Sequence, residues 1–298
     1  MSTPDLIVTG ASGQLGQAVL RHLIDTLAVP PARIAAVSRR PEALAAWAAR
    51  GVVTRAADFD DGGSLPAAFA GAARLLLIST DALDRPGRRL AQHRAAITAA
   101  AAAGVGHIIY TSMPSPQTSA VLFAPDHAGS EAAIAASGIP GWTVLRNNWY
   151  FENLLFALPS ILGGGGKWYS AAAEGRIAHI ARDDLARAAA AALAGTATGR
   201  TTLTLTGARA YTTAEIAALL SDTLARPISV VPVTLEALTQ GMVAHGVPEG
   251  VARVFASFDA NTAAGGLAEV TGDYRALTGS DPQPFEHWLK ANADRLAG

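Results

Sequence analysis

Three glycines spaced three apart, Gly10, Gly13 and Gly16, stand in Thr9-Gly-Ala-Ser-Gly-Gln-Leu-Gly16, directly behind the apolar run Asp5-Leu-Ile-Val8. An apolar run, a glycine turn and an apolar-periodic stretch read as strand, turn and helix. Such a turn aims backbone N–H groups and the positive end of a helix at one point, where a pyrophosphate can bind. Gly10 permits the tight turn, Gly13 the approach of phosphate, and Gly16 the close packing of helix on sheet, with Ser12, Gln14 and Leu15 completing the loop. The spacing is G-x-x-G-x-x-G rather than the commoner G-x-G-x-x-G. A merely structural turn is the alternative, but the placement between strand and helix favours a dinucleotide.

The end of the second strand selects among dinucleotides. An NAD site carries a carboxylate there for the ribose 2′-hydroxyl. This chain has Ser38-Arg39-Arg40 and no carboxylate before Glu42. A guanidinium can pair with a 2′-phosphate that a carboxylate would repel, so NADP(H) is expected, with Arg39 the first candidate and Arg40 the second. Two solvated arginines opening a helix are the bland reading. Asp58 and Phe59, after the third strand, are placed to border the adenine, or to form an ordinary surface loop.

Ligands of open α/β sheets bind beyond the carboxyl ends of the strands. That places Ser79, Thr80, Ser112, Asn147 and Asn148 around the nicotinamide half, although each could equally satisfy a local turn. Only two lysines occur, Lys167 and Lys290. The Tyr-x-x-x-Lys pair, in which an ammonium lowers a phenol's pKa, is therefore absent: the residues four beyond the five tyrosines are Pro114, Leu154, Ala173, Glu215 and Thr278. Where that pair would sit, the chain has His127-Ala-Gly-Ser-Glu131. The i, i+4 spacing lets Glu131 orient or charge the imidazole, and His127 could then donate a proton or fix substrate. An ordinary ion pair near a helix start is the alternative.

The elements that carry these residues alternate. Strands are expected at Arg33–Ser38, Val52–Ala56, Arg74–Ile78, His107–Thr111 and Trp142–Leu145, and helices near Glu42–Ala49, Leu65–Phe69, Gln92–Ala103 and His127–Ser137. This is the signature of a parallel sheet. Beyond residue 146 the alternation loosens. Gly163–Gly166 reads as a flexible joint, and Asp183 or Asp184 as the cap of a helix over Arg182–Leu193. Thr212 or Thr213 reads as the cap of one ending at Leu224. Strands are expected at Thr201–Thr206 and Ile228–Val233, and further helices at Leu235–Ala244, Glu249–Phe258 and Phe285–Leu296. The fold class is α/β: a Rossmann-type doubly wound parallel sheet with a smaller mixed α/β C-terminal lobe. The expected division gives residues 1–148 and 171–206 to the NADP-binding domain, and 149–170 with 207–298 to a lobe covering the substrate.

Composition excludes several alternatives. The 298 residues are half apolar, enough for a sizeable core, and their net charge of −1 gives no electrostatic reason for nucleic acid or a membrane surface. There is no cysteine, hence no disulfide or thiolate chemistry, and the seven histidines do not cluster at metal-ligand spacing. No signal peptide or membrane span is read, so a cytoplasmic protein is expected. The sequence carries no marker of oligomeric state; a homodimer is compatible with it.

The stretch Arg146-Asn-Asn-Trp-Tyr-Phe-Glu-Asn-Leu154 is more specific than the glycines. Together with Thr9–Gly16, Ser38-Arg39, Leu75–Ser79, Tyr110-Thr-Ser112 and His127-x-x-x-Glu131, it resembles the NmrA-like atypical short-chain dehydrogenases, in the branch of NADPH:quinone and triphenylmethane-dye reductases. Arg182-Asp183-Asp184, Gly246–Gly250 and Gly265-Gly266 extend the resemblance over nearly the whole chain, while Ser112–Asp126 departs most from it. The resemblance implies an NAD(P)H-dependent oxidoreductase acting on a small-molecule electron acceptor, a quinone or cationic dye, without a Tyr-Lys dyad. An electron-poor acceptor takes hydride directly and delocalises the resulting charge, so the main contribution of the protein is positioning. Trp149, Tyr150 and Phe151 would form a flat wall, with Phe123, Trp168 and Tyr169 as additions; His127 and Tyr150 are the candidate catalytic residues. The rival reading is a non-catalytic NADP(H)-sensing regulator of the NmrA type, and a third is imine, ether or ene reduction on the same scaffold.

Overall fold

The candidate coenzyme-binding residues are carried on or beside seven short parallel strands. The computed structural model describes residues 4–297. The elements in chain order are β1 (Leu6–Val8), α1 (Gln14–Arg21), β2 (Ile34–Ser38), α2 (Ala45–Ala48), β3 (Val53–Ala56), α3 (Leu65–Phe69), β4 (Arg74–Leu77), α4 (Arg88–Ala102), β5 (His107–Ser112), α5 (Ala124–Ala136) and β6 (Gly141–Asn147). There follow α6 (Leu154–Gly163), β7 (Lys167–Ser170), β8 (Arg176–Ile177), α7 (Arg182–Ala194), β9 (Arg200–Leu205), β10 (Tyr211–Thr212), α8 (Thr213–Leu224), β11 (Ser229–Pro232), α9 (Leu235–Ala244), α10 (Glu249–Ala263), α11 (Asp273–Thr278), α12 (Phe285–Ala291) and α13 (Ala293–Ala297). The main sheet has the order β3-β2-β1-β4-β5-β6-β9, all neighbours parallel. The strand order reverses at β1, between β2 and β4, and this opens a crevice at the carboxyl edge.

Strand periodicity distributes the apolar side chains over both faces. Leu6, Val8, Ile34 and Ala36 pack with α1 and the alanine-rich α7, whereas Ile7, Ala35, Val37, Leu75 and Leu77 pack with α3, α4 and α5. Arg74 fixes the carboxyl end of α7 by donating to the carbonyls of Leu193 (3.0 Å), Ala197 (2.7 Å) and Ala192 (2.9 Å), groups a helix end leaves unpaired.

A third core lies apart from the sheet. Phe151, Leu154, Leu158, Tyr211, Leu220, Phe285 and Trp288 form it, with Phe151 stacked on Phe285 at 4.7 Å. Two small sheets flank it, β11 parallel to β7 and β10 antiparallel to β8. The latter joins residues 176–177 to 211–212, across the expected domain division. Among the described residues, no helix is long and apolar enough to cross a membrane.

Three local expectations are corrected. Gly163–Gly166 is a tight turn, not a joint: Gly165 and Gly166 take φ of +70° and +79°, and a Cβ on Gly166 would lie 2.0 Å from the Pro227 carbonyl oxygen. Neither Asp183 nor Asp184 caps α7, whose N-cap is Ala181. Instead Glu152 reaches from a distant segment to accept from the Arg182 N–H at 3.0 Å. Helix α5 begins at Ala124, because Pro125 suits the first helical turn, so His127 sits one turn inside it.

Candidate active site

Gly10 occupies the left-handed region (φ +59°), and its carbonyl accepts from the Gly13 N–H at 3.0 Å. A Cβ on Gly16 would stand 2.3 Å from that carbonyl oxygen, so only glycine lets α1 begin this close to β1. Gly13 is the N-cap, with no side-chain cap and no acid in the first turn. The helix start thus keeps its N–H groups and positive end for a ligand, and the residues present fit a pyrophosphate. Leu15 is buried below the turn, and Gln14 lies outside it, accepting from Arg182. A cleft of about 560 Å³, lined by Ser12, Gln14, Trp47, Glu152 and Arg182 among others, runs beside it.

The Ser12 hydroxyl meets that of Ser38 at 2.8 Å, tying the glycine turn to the end of β2. Arg39 and Arg40 follow, both exposed, and neither takes part in an ion pair among the described residues. Asp58 and Phe59 lie just past β3. One Asp58 carboxylate oxygen accepts from Asp60 N–H at 3.0 Å, and Phe59 packs half-buried on the core.

At the rims of β4, β5 and β6 the polar residues are held by defined partners. The Ser79 N–H donates to the Thr111 hydroxyl at 2.9 Å, and the Thr80 N–H to Nε2 of His93 at 3.0 Å. Ser112 donates to Glu131 at 2.7 Å, and Arg146 clamps the same carboxylate with bonds of 3.0 and 2.7 Å. Glu131 therefore serves Ser112 and Arg146 and not His127, contrary to the i, i+4 expectation. Asn148 is consumed structurally, donating to the Leu267 carbonyl at 3.1 Å. Asn147 keeps a buried amide oxygen with no partner. Burial raises the Tyr150 phenol above its ordinary value, with the neighbouring Asn147 side chain and the Arg182 charge opposing, so the phenol stays protonated at neutral pH. The Arg182 guanidinium lies over its ring at 5.4 Å.

His127 is 4% exposed and has no free ring nitrogen. Nη2 of Arg89 donates to its Nε2 at 2.9 Å, which leaves the proton on Nδ1, 2.9 Å from the Tyr110 hydroxyl. Burial, then the charges of Arg89 and His93, push its pKa well down. This imidazole is neutral, with its proton directed inward to Tyr110. His93, fully buried, repeats the pattern: its Nε2 accepts from Thr80, so Nδ1 donates to Ser130 at 2.8 Å.

Sequence reasoning missed Arg89, Trp47, Glu152 and Phe258. A signal for the first existed: Arg88-Arg89 opens α4, where cations run against the helix dipole. Arg88 is compensated by Asp60 and Asp84. Arg89 is instead drawn inward, its Nε donating to the Thr80 carbonyl at 2.7 Å. Of the aromatic wall, Phe151 and Trp168 belong to the third core and Tyr169 is exposed. Phe123 and Trp149 do assemble, each edge-on to Phe258 at 5.9 and 5.1 Å.

A Rossmann-type fold with a glycine-turn crevice defines a class of nucleotide-binding proteins, and comparison with known proteins narrows it. Residues 2–289 match the NmrA-like family, and the chain belongs to that family. It is 37% identical over 262 residues to quinone oxidoreductase 2 of Escherichia coli (strain K12), covering 88% of this chain and 89% of that one. The crystal structure of an E. coli NADPH-dependent quinone oxidoreductase complexed with NADPH superposes with a TM-score of 0.89 at 35% identity, covering 96% of this chain and 98% of the other. Citrobacter sp. triphenylmethane reductase complexed with NADP(H) gives 0.85 at 32% identity, covering 96% and 99%.

Proposed function

We propose that the chain is an NADPH-dependent oxidoreductase that reduces small, conjugated, electron-poor acceptors such as quinones, by direct hydride transfer without a Tyr-Lys dyad. The observation that carries this reading is the uncapped start of α1 in the β1–β4 crevice, with Arg39 and no carboxylate at the end of β2. The relatives named above, with their NADPH complexes, support it.

In this reading Gly10, Ser12, Gly13, Gln14, Leu15 and Gly16 receive the pyrophosphate, and Arg39 pairs with the 2′-phosphate. Asp58 and Phe59 border the adenine, while Ser79, Thr80, Ser112 and Asn147 line the nicotinamide half. Residues 1–148 and 171–206 form the coenzyme domain, and 149–170 with 207–298 the lobe that closes over the acceptor. Bound dihydronicotinamide supplies hydride. The protein excludes water with Phe123, Trp149 and Phe258, and Tyr150 offers a protonated phenol at the rim. His127 acts through Arg89, as a positioning residue.

The reductase relatives favour turnover over sensing. Stopped-flow oxidation of NADPH by benzoquinone or naphthoquinone, against an enzyme-free control, tests the reading. Saturable acceleration is expected. Absence of acceleration across quinones and dyes would transfer the assignment to the sensor.

A further inference from the structure

Arg89 is 6% exposed, and its Nη1 is buried with no hydrogen-bond partner. Its other contacts, to the Thr80 carbonyl and to His127, are neutral, and it takes part in no ion pair among the described residues. Burial lowers its pKa, yet a guanidinium does not discharge near neutrality. The Asp126 and Asp81 carboxylates act on it only through space and neither bonds to it; a desolvated cation with no bonded counter-charge is disfavoured, and a free donor on it adds to the cost. Such an arrangement persists where a ligand completes it. Phe123 lies against this cation, with Cζ 5.0 Å from its ring centroid, and continues through Phe258 to Trp149. A cluster of aromatic rings packed edge to face thus adjoins a buried donor with positive charge.

We propose that Nη1 of Arg89 binds the acceptor's oxygen, so that the site takes aromatic carbonyl compounds and aromatic anions and disfavours cationic dyes. This rests on the reductase reading and names the part of the site that sets its substrate class. When a quinone is reduced there, the coenzyme's C4–H bond breaks and a new bond to that hydrogen forms on the quinone. Two electrons pass, and the quinone becomes a hydroquinone monoanion, later protonated by water. The negative charge arises on the oxygen beside Arg89, where a preorganised cation is most effective.

A redox-inert pair tests this without turnover: 2-naphthoate and its neutral isostere 2-naphthamide, titrated calorimetrically into the full chain, with and without saturating NADP+, at about pH 8, where the acid is ionised and arginine charged. The wild type should bind naphthoate about tenfold more tightly than naphthamide, the effect of one buried charge-assisted bond. Arg89→Met should abolish the preference while leaving NADP+ affinity within about twofold, and Arg89→Lys should restore part of it. Equal binding of the two probes by the wild type, which needs no variant to fold, would overturn the proposal. So would a preference that survives in Arg89→Met, or a loss of NADP+ affinity there, which would assign the guanidinium to the coenzyme. If the wild type fails to bind NADPH, the reductase reading falls, whereas the probe ratio in the coenzyme-free protein still reports on Arg89.

Discussion

His93 carries a pH dependence that its burial dictates. Desolvation, then the nearby Arg89 charge, lowers its pKa from 6.5 to about 3. The folded protein holds this imidazole neutral, whereas the unfolded chain protonates it below about pH 6.5. Its contribution to stability is therefore complete above pH 6.5 and is lost progressively as pH falls toward 3. At pH 5 the loss is about 2 kcal/mol. His127, and His107 and His179 at about 4, act in the same direction. The raised carboxylates of Asp184 and Asp259 oppose them. Urea unfolding at pH 7 and 5 should show the wild type losing stability more steeply than His93→Gln; parallel losses would contradict this account. At this scale the sequence is readable where a residue type is diagnostic. It shows the glycines, the arginine after β2 and the missing Tyr-Lys pair. It does not show that His127 turns both nitrogens inward, or that Arg89 is buried. Those depend on how α4 and α5 pack together.

Capping shows what is local and what is not. In α8 the Thr212 hydroxyl accepts from the Glu215 N–H at 3.1 Å, and the Glu215 carboxylate from the Thr212 N–H at 2.8 Å. Both partners lie within four residues, and the sequence displays them. Thr212→Ala should cost about 1 kcal/mol, a fall of roughly 2–4 °C in the thermal midpoint for a chain of this size. A midpoint unchanged by the substitution would show that the box contributes nothing. Helix α7 is the converse. Its first N–H goes to Glu152, thirty positions away, while Asp184 accepts from the Tyr274 hydroxyl and the Gln283 N–H, anchoring the C-terminal segment. Short-range rules offer Asp183 or Asp184 as the cap because the true partners are visible only after folding. The same limit made a joint of Gly163–Gly166, where Pro227 approaches too closely for any side chain.

For the whole molecule, the alternation of strands and helices through β6 was legible because most of these strands, β1, β2, β4 and β5 above all, are apolar runs ended by a polar rim. The later segments were harder. Their strands are short, β8 and β10 having two residues each, and their core is assembled from Phe151, Tyr211 and Phe285, far apart in sequence. The proposed function has a phosphorylated coenzyme lying across the crevice, with Arg39 against its 2′-phosphate. Fluorescence titration of wild type and Arg39→Ala with NADPH and NADH tests this most directly. The wild type should prefer NADPH by about tenfold or more, and Arg39→Ala should lose most of that preference with NADH affinity unchanged. Equal affinity of the wild type for the two coenzymes, or binding of neither, would contradict it.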